Sequence, residues 1–284
     1  MIEMRQKIAV AIPDSTVADI FETREKTVQL GMIARALAIF QVSEVIIYRS
    51  DLPANKSQFE ARFISNVLSY IETPQYLRKD LFPFHKDLKF AGMLPPLATP
   101  HHQTDKKLKH KQYREGVLFL RQGGVHADVG ANQTVEVRNP PATSLKGRRV
   151  RATLQIFKEN TDVYAEVVKR EKVEEKDYWG YQIRISNQTF PKFDRKREYT
   201  IITTSKKGTP YHEMELPPQQ KPLLFVFGTP KKGLYDLLKG TNVKMSDIAD
   251  RVVNSIPNAG TRSVRLEEAI PITLARLLPL FGMN

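Results

Sequence analysis

The sequence contains no cysteine in its 284 residues. Disulfide bonds, catalysis by a thiol and zinc sites built from thiolates are therefore excluded. Its apolar runs are well short of a membrane span, and the N-terminus lacks a signal-peptide pattern. We therefore expect a cytoplasmic protein.

Two nucleotide-binding signatures are also missing. No Gly-x-Gly-x-x-Gly follows the first predicted strand, which disfavours a dinucleotide-dependent dehydrogenase. Gly228 and Gly233 have the spacing of a phosphate-binding loop, but Leu234 and Tyr235 follow where Lys and Ser or Thr are needed to reach phosphates and magnesium. Hydrolysis of nucleoside triphosphates is therefore rejected.

Acidic side chains are scarce relative to basic ones. Lys and Arg total 44 against 31 for Asp and Glu, which gives a formal net charge of +13. An excess of this size favours a polyanionic partner, and RNA or DNA is the usual one. A basic thermostable protein without a nucleic-acid partner is the alternative.

The N-terminal region has the pattern of a β-α-β unit, the building block of a parallel sheet. Apolar strands are predicted at residues 7–12 and 44–48, with a helix at residues 24–40 between them. Two further helices are predicted at residues 59–71 and 74–81. The apolar residues of the first helix recur about once per turn, at Val28, Met32, Ala36 and Ile39.

The middle of the chain has the pattern of a small β-barrel. Residues 91–111 are rich in proline and then in basic residues, which indicates a linker that leaves the first domain. Short alternating segments follow, separated by Gly, Pro and Asn turns. They are residues 116–120, 125–129, 134–137, 148–157 and 162–169. We therefore predict an OB-like barrel at residues 94–175, inserted into one α/β domain formed by residues 1–93 and 176–284.

A basic cluster lies within the predicted barrel. It comprises Lys146, Arg148, Arg149 and Arg151, with no acidic residue among them. Phosphate binding needs such a cluster, although a strand edge guarded by charge has the same composition. Because the net charge agrees with the first interpretation, we predict that these residues bind nucleic acid.

Three histidines, His101, His102 and His110, fall in the predicted linker. Histidine is a common metal ligand, so a metal site is one interpretation. The flexible basic surroundings favour surface side chains instead. We therefore predict no metal site.

The C-terminal region returns to α/β patterning. Strands are predicted at residues 179–185, 199–204, 223–227 and 251–256. The continuous apolar run at residues 223–227 suits a strand that is buried on both faces of a parallel sheet. A strongly apolar helix at residues 266–280 closes the sequence, and we expect it in the core or against a second subunit.

Turns that contain glycine follow the last three of these strands, at residues 205–208, 228–233 and 257–263. Gly228 and Gly233 let a ligand approach the main chain closely. Binding sites in open α/β sheets lie at the carboxyl ends of strands. The turns after the last two strands are therefore predicted to form a pocket side by side.

Five segments resemble the SPOUT class of RNA methyltransferases or one of its branches. The helix pattern Gln29-x-Gly31-x-x-x-Arg35-Ala36 resembles the first motif of that class, in which Asn stands where Gln29 stands here. Residues 225–234 and 255–269 resemble the second and third motifs. The closest resemblance is to the archaeal and eukaryotic branch with an OB-like barrel inserted in the methyltransferase domain, through the segments Leu94–His102 and Tyr178–Asn187.

The resemblance implies a knotted parallel sheet, S-adenosylmethionine as methyl donor, and a homodimer. Arg24 and Arg35 would hold the target phosphate and stabilise the developing anion, while Asn258 and Ser263 would orient the base. The donor pocket would be formed by Thr204, Phe227, Gly228, Thr229, Ile256, Pro257, Ala259, Gly260, Thr261 and Val264.

We therefore predict a methyltransferase of RNA, with uridine N3 of ribosomal RNA as the expected target. Ribose 2′-O and guanine N1 are the other outcomes within the class. In the class's ribose-methylating branch the last turn reads Ser-Leu-Asn-Val, against Thr261 to Val264 here, and the missing Asn disfavours a ribose target. A knotted protein that binds RNA or assists ribosome assembly without catalysis is the alternative from a different functional class.

Overall fold

The structure, a computed structural model, describes residues 6–121, 123–141, 145, 147–159, 162–192, 196, 198–217 and 221–283. The chain separates into two compact units. The sheet unit consists of residues Gln6–Ser69, Phe90–Pro95 and Tyr181–Asn284, and the barrel unit contains Tyr70–Lys89 and Pro96–Gly180. The segment Tyr70–Lys89 therefore groups with the barrel, whereas the sequence pattern places it in the first domain.

Helices and strands alternate in the sheet unit, and strands dominate the barrel unit. In chain order the elements are β1 (Ile8–Pro13), α1 (Thr23–Ile39), β2 (Glu44–Arg49), α2 (Ala54–Glu72), α3 (Gln75–Leu81), β3 (Tyr113–Arg121), β4 (Gly124–Asp128), β5 (Val135–Val137), β6 (Val150–Glu159), β7 (Asp162–Val167), α4 (Arg170–Glu174), β8 (Gln182–Thr189), β9 (Thr200–Pro210), β10 (Leu223–Val226), α5 (Leu234–Leu238), α6 (Met245–Ile248), β11 (Arg251–Asn254) and α7 (Leu266–Leu277). None of these described helices is long and apolar enough to cross a membrane.

The sheet unit is built on a six-stranded sheet in the order β11-β9-β10-β1-β2-β8. Every neighbouring pair is parallel. All residues of β1 and β10 are buried, which explains why both strands are continuous apolar runs rather than alternating ones. The predicted parallel α/β sheet is confirmed, and the knot implied by the resemblance stays a prediction.

One predicted turn is wrong. Residues 205–208 lie within β9. The pairing of β11 with β9 skips them, because Val252 lies opposite Thr203 and Val253 lies opposite Thr209. Gly208 packs so closely on β11 that a Cβ would lie 2.6 Å from the carbonyl carbon of Val253. The polar segment with its glycine therefore forms a bulged part of a strand.

Helix α1 has apolar residues on two faces. Its buried face contains Leu30, Ile33 and Leu37, and the helix contacts α7. Among the residues that recur once per turn in the sequence, Ala36 is buried, but Val28, Met32 and Ile39 are 37%, 50% and 60% exposed. The spacing thus identifies the helix but not the face that packs in the core.

The barrel unit contains a closed barrel with the strand order β3-β4-β5-β7-β6. Its strands match the predicted alternating segments, so the predicted inserted barrel is confirmed. The core is filled by small and branched apolar side chains, among them Leu118, Val135, Leu154 and Ile156. The β5–β7 pair is parallel, and the others are antiparallel.

Candidate active site

A large cavity opens at the carboxyl ends of β10 and β11 and beside the bulged part of β9 in the sheet unit. Its volume is about 1330 Å³. Residues 204–207, 227–233 and 254–256 line it from the sheet. The β1–α1 connection, the first half of α1, the segment before α7 and the first turn of α7 also contribute to the wall. The structure thus brings together the two turns that the sequence predicts to form a pocket.

The turn after β10 is held by its own main chain. Thr229 N donates to the carbonyl oxygen of Lys232 at 3.0 Å, and Lys232 N donates to Thr229 Oγ1 at 2.9 Å. A Cβ on Gly228 would lie 3.2 Å from that carbonyl oxygen and 3.3 Å from Leu234 N. The turn therefore leaves no room for a side chain at residue 228 unless the backbone shifts.

An ion pair attaches this turn to the β2–α2 connection. Lys232 Nζ lies 2.6 Å from Asp51 Oδ2. The hydrogen bond from Lys232 lowers the pKa of Asp51, and the same bond raises the pKa of Lys232. Because both side chains are about half exposed, the pair contributes little to stability but restricts where the loop can go.

The loop after β11 is fastened to the bulge of β9. Asn254 Nδ2 donates to the carbonyl oxygen of Lys206 at 3.2 Å, and Lys206 Nζ donates to the carbonyl oxygen of Thr261 at 3.3 Å. Asn258 adopts a φ of 61°, in the left-handed region that Asn tolerates better than most residues. The cavity wall is therefore a set of mutually bonded loops.

The structure places most of the predicted donor-pocket residues on the cavity wall. Those on the wall are Thr204, Phe227, Gly228, Thr229, Ile256, Ala259 and Val264. Pro257, Gly260 and Thr261 belong to the same loop but do not line the cavity.

The predicted catalytic residues divide in the same way. Arg24 and Ser263 line the cavity, whereas Arg35 and Asn258 do not. Arg35 is exposed and lies about 16 Å farther along α1 than Arg24, at 1.5 Å per residue. Within one chain, Arg24 is therefore the one of the two arginines that lines the cavity.

One contact in the cavity was not predicted from the sequence. Gln29 Nε2 donates a 2.6 Å hydrogen bond to Glu267 Oε2, joining α1 to the first turn of α7. Both residues line the cavity. The Gln29 position was singled out by the first motif, but its partner is 238 residues away in sequence. No local pattern predicts that contact.

The described residues of the predicted basic cluster do not share one exposed surface. Lys146 lies outside the described residues, and Arg148 and Arg149 are exposed. The Arg149 guanidinium lies 4.6 Å from the centre of the Phe119 ring and 3.8 Å from Asp80. Arg151 instead points into the barrel unit, with Nε 2.5 Å from Glu115 Oε2 and Nη1 2.6 Å from Glu72 Oε2. Its charge is therefore neutralised by two carboxylates.

Glu72 is the centre of a buried ionic cluster. Burial by itself raises the pKa of Glu72, but Arg151, His101 and Arg170 outweigh that effect and hold the pKa well below its usual range. Burial also raises the pKa of Glu115. Arg151 and a hydrogen bond from Thr153 outweigh that effect, so the pKa of Glu115 is lowered. Both carboxylates therefore stay ionised inside the unit.

His101 is fully buried, so the prediction of a surface side chain is wrong for it. Its Nε2 lies 2.9 Å from the Glu72 carbonyl oxygen and 3.1 Å from Glu72 Oε1. His102 is partly buried, and burial together with His101 lowers its pKa to about 4. His110 is exposed. The described residues contain no group of three His, Asp or Glu placed to hold a metal ion.

Comparison with known proteins places the chain in a family. Residues 7–277 match the model of a family described as "Putative RNA methyltransferase", and the chain belongs to that family. A 28S rRNA (uridine-N(3))-methyltransferase of Homo sapiens is 31% identical over 96% of this chain and 78% of its own length. The protein of the same name from Drosophila melanogaster is 32% identical over 95% of this chain, which spans only 61% of that relative. An uncharacterised protein of Halobacterium salinarum is 27% identical over 95% of this chain and 98% of its own length.

Proposed function

We propose that this chain is an S-adenosylmethionine-dependent methyltransferase that modifies uridine N3 of ribosomal RNA. The observation that carries the proposal is a cavity that the loops after β10 and β11 line together, in a chain of an RNA methyltransferase family. The target base is taken from the names of the relatives that are 31% and 32% identical.

The cavity is chemically suited to the donor. Phe227, Ile256 and Val264 offer apolar surface for an adenine ring, and Thr204 and Thr229 offer hydroxyl groups. Its volume of about 1330 Å³ exceeds the roughly 300–1,000 Å³ of common ligand pockets, which leaves room for a target base as well. When bound, the donor would supply an electrophilic methyl group on a sulfonium.

Arg24 is the arginine that we propose to act in this cavity. It lines the wall at the start of α1, where a guanidinium can bind the target phosphate or stabilise negative charge that develops on the base. A guanidinium stays protonated and cannot accept the proton of the base. Ser263 on the same wall is proposed to orient the base by hydrogen bonding.

A homodimer is also part of the proposal. Val28, Met32, Arg35 and Ile39 form an exposed stripe on α1, and three of these residues are apolar. Leu280, in the turn after α7, is 39% exposed. Exposed apolar surface of this kind is typical of subunit contacts. Arg35 would then contact the partner subunit.

RNA binding by the barrel unit is proposed from a reduced set of residues. Arg148 and Arg149 are exposed, and Arg149 stacks on Phe119. Exposed guanidinium groups and aromatic rings are the groups that bind phosphates and unstacked bases. Arg151 is left out of this set because Glu72 and Glu115 already bind it.

Titration with S-adenosylmethionine separates the proposal from a non-catalytic RNA-binding protein. We expect calorimetry to give a micromolar dissociation constant, and we expect Arg24→Ala to bind the donor equally well but to lose about a hundredfold in methylation rate. Absence of donor binding by the folded protein would favour the non-catalytic alternative. Methylation at full rate by Arg24→Ala would remove Arg24 from the mechanism.

A further inference from the structure

Glu267 differs from the other carboxylates that line the cavity. Its side chain is only 8% exposed, and Gln29 holds one of its oxygens. Asp19, Glu22 and Glu25 are exposed, and Asp236 is bound to Lys239 at 2.7 Å and to Gly233 N at 3.2 Å. Glu267 therefore has the least exposed carboxylate side chain among the described residues that line this wall.

The second oxygen of Glu267 is available as an acceptor. Within the part of the chain that the structure describes, no hydrogen bond is donated to Oε1, and Arg265 Nη1 lies 3.9 Å from it. The hydrogen bond from Gln29 to Oε2 fixes the rotation of the carboxylate. Glu267 also lies in the first turn of α7.

The proposed reaction needs a proton acceptor, and few groups in the cavity can serve. Uridine N3 carries a hydrogen. This hydrogen must leave as a proton if methylation at N3 is to give a neutral product. Lysine and arginine side chains carry protons and accept no hydrogen bond. None of the described residues that line the cavity is a histidine.

We propose that Glu267 is the general base of the reaction, an inference that rests on the proposed function. Glu267 Oε1 accepts the hydrogen bond from uridine N3–H and then its proton, so that a carboxylic acid forms. The electron pair left on N3 forms the bond to the methyl carbon, and the pair of the broken carbon–sulfur bond stays on sulfur. The proton passes to solvent afterwards.

Gln29 has a separate, positioning role. It takes no part in the proton transfer, but its amide limits the rotation of the Glu267 carboxylate by holding Oε2, which leaves Oε1 as the accepting oxygen. The amide of a Gln at position 267 could still accept the hydrogen bond from Gln29. Glu267→Gln therefore removes the base while preserving the contact between α1 and α7.

The matched control is Glu268→Gln. Glu268 is the next residue of the same helix turn, is exposed, and accepts a hydrogen bond from Arg265 N at 2.9 Å without lining the cavity. We expect Glu267→Gln to lose a hundredfold or more in methylation rate, the range of general-base contributions, and Glu268→Gln to stay within about threefold of wild type. Donor binding and thermal unfolding should be unchanged in both variants.

Two RNA substitutions test the proton transfer itself. RNA with 5-fluorouridine at the target has a more acidic N3–H, so the defect of Glu267→Gln should shrink by at least tenfold on this RNA. Without donor, wild type should bind uridine RNA about tenfold tighter than RNA with 3-methyluridine, and Glu267→Ala should lose that preference.

The outcomes are distinguishable from failure of the proposed function. If wild type forms no 3-methyluridine, the proposed function fails. If wild type forms it and Glu267→Gln does so at the same rate, or if the defect is equal on uridine and 5-fluorouridine RNA, the assignment of Glu267 as base is overturned.

Discussion

Gly180 packs against His101 so closely that a Cβ on residue 180 would lie 2.5 Å from the imidazole Cε1. Gly180 has a φ of 79°, which L side chains rarely adopt. The contact joins the segments Leu94–His102 and Tyr178–Asn187, two of the segments in the family resemblance. Next to this contact, Trp179 Nε1 donates a hydrogen bond to Glu115 Oε1 at 2.6 Å. These segments therefore contribute His101 and Trp179 to the surroundings of Glu72 and Glu115.

Gly180→Ala tests the closeness of this contact. We expect a loss of about 3 kcal/mol or more in the free energy of unfolding, since strain at positive φ adds to overlap with a buried ring. Gly147→Ala is the matched control, because Gly147 has a φ of 64° and open space where its Cβ would go. It should cost about 1 kcal/mol. Equal losses in urea unfolding would contradict the packing described.

His102→Gln should flatten part of the pH dependence of stability. The pKa of His102 is lowered to about 4, whereas an unfolded His has a pKa of about 6.5. The unfolded chain therefore binds more protons between these values, so wild-type stability is complete above about pH 6.5 and falls as the pH drops to about 4.

The size of this loss is about 2–3 kcal/mol in wild type. His102→Gln should lose little over the same range and should then decline below about pH 4, as the carboxylates that are ionised in the fold become protonated. Urea unfolding at half-unit pH intervals measures both curves. Parallel curves between pH 6.5 and pH 4 would refute the lowered pKa of His102.

Met32→Glu should disrupt the proposed dimer. Met32 lies in the middle of the exposed stripe of α1 and is 50% exposed. A carboxylate buried without a partner at a subunit contact costs several kcal/mol, enough to yield monomers at micromolar concentration. Sedimentation velocity measures the mass, and Leu120→Glu, at an equally exposed apolar residue of β3, should sediment as wild type. A wild-type monomer would contradict the proposal.

Gly228→Ala should weaken donor binding about tenfold or more. The new Cβ would press on backbone atoms of residues 232–234, which cannot rotate away, so the turn after β10 must move by a few tenths of an ångström. Gly92→Ala is the control, because residue 92 has open space around its Cβ. Calorimetric titration with S-adenosylmethionine compares the two. Unchanged affinity in Gly228→Ala would place the donor elsewhere.

The sequence predicts what depends on local pattern. The run of residues 223–227 predicts β10 because a strand buried on both faces needs continuous apolar residues. Alternation with Gly, Pro and Asn turns likewise predicts the barrel strands. The glycine turns after β10 and β11 predict the pocket, since parallel strands end on the same edge.

What could not be predicted depends on contacts distant in sequence. Arg151 pairs with Glu115 and Glu72, which are 36 and 79 residues away in sequence. The local composition does not show these partners, so it indicated a phosphate-binding role for Arg151. The burial of His101 depends on Glu72, far upstream. The exposed stripe of α1 has the same spacing as a buried one, and the packing of the helix against α7 distinguishes the two faces.

Nucleoside mass spectrometry of RNA treated with the purified protein tests the central claim most directly. Ribosomal RNA lacking the modification would be incubated with S-adenosylmethionine whose methyl group carries a heavy isotope, then digested to nucleosides. The account predicts one labelled product, 3-methyluridine, formed in proportion to S-adenosylhomocysteine. Label in a 2′-O-methyl nucleoside or in 1-methylguanosine, or no labelled nucleoside from a protein that binds the donor, would contradict it.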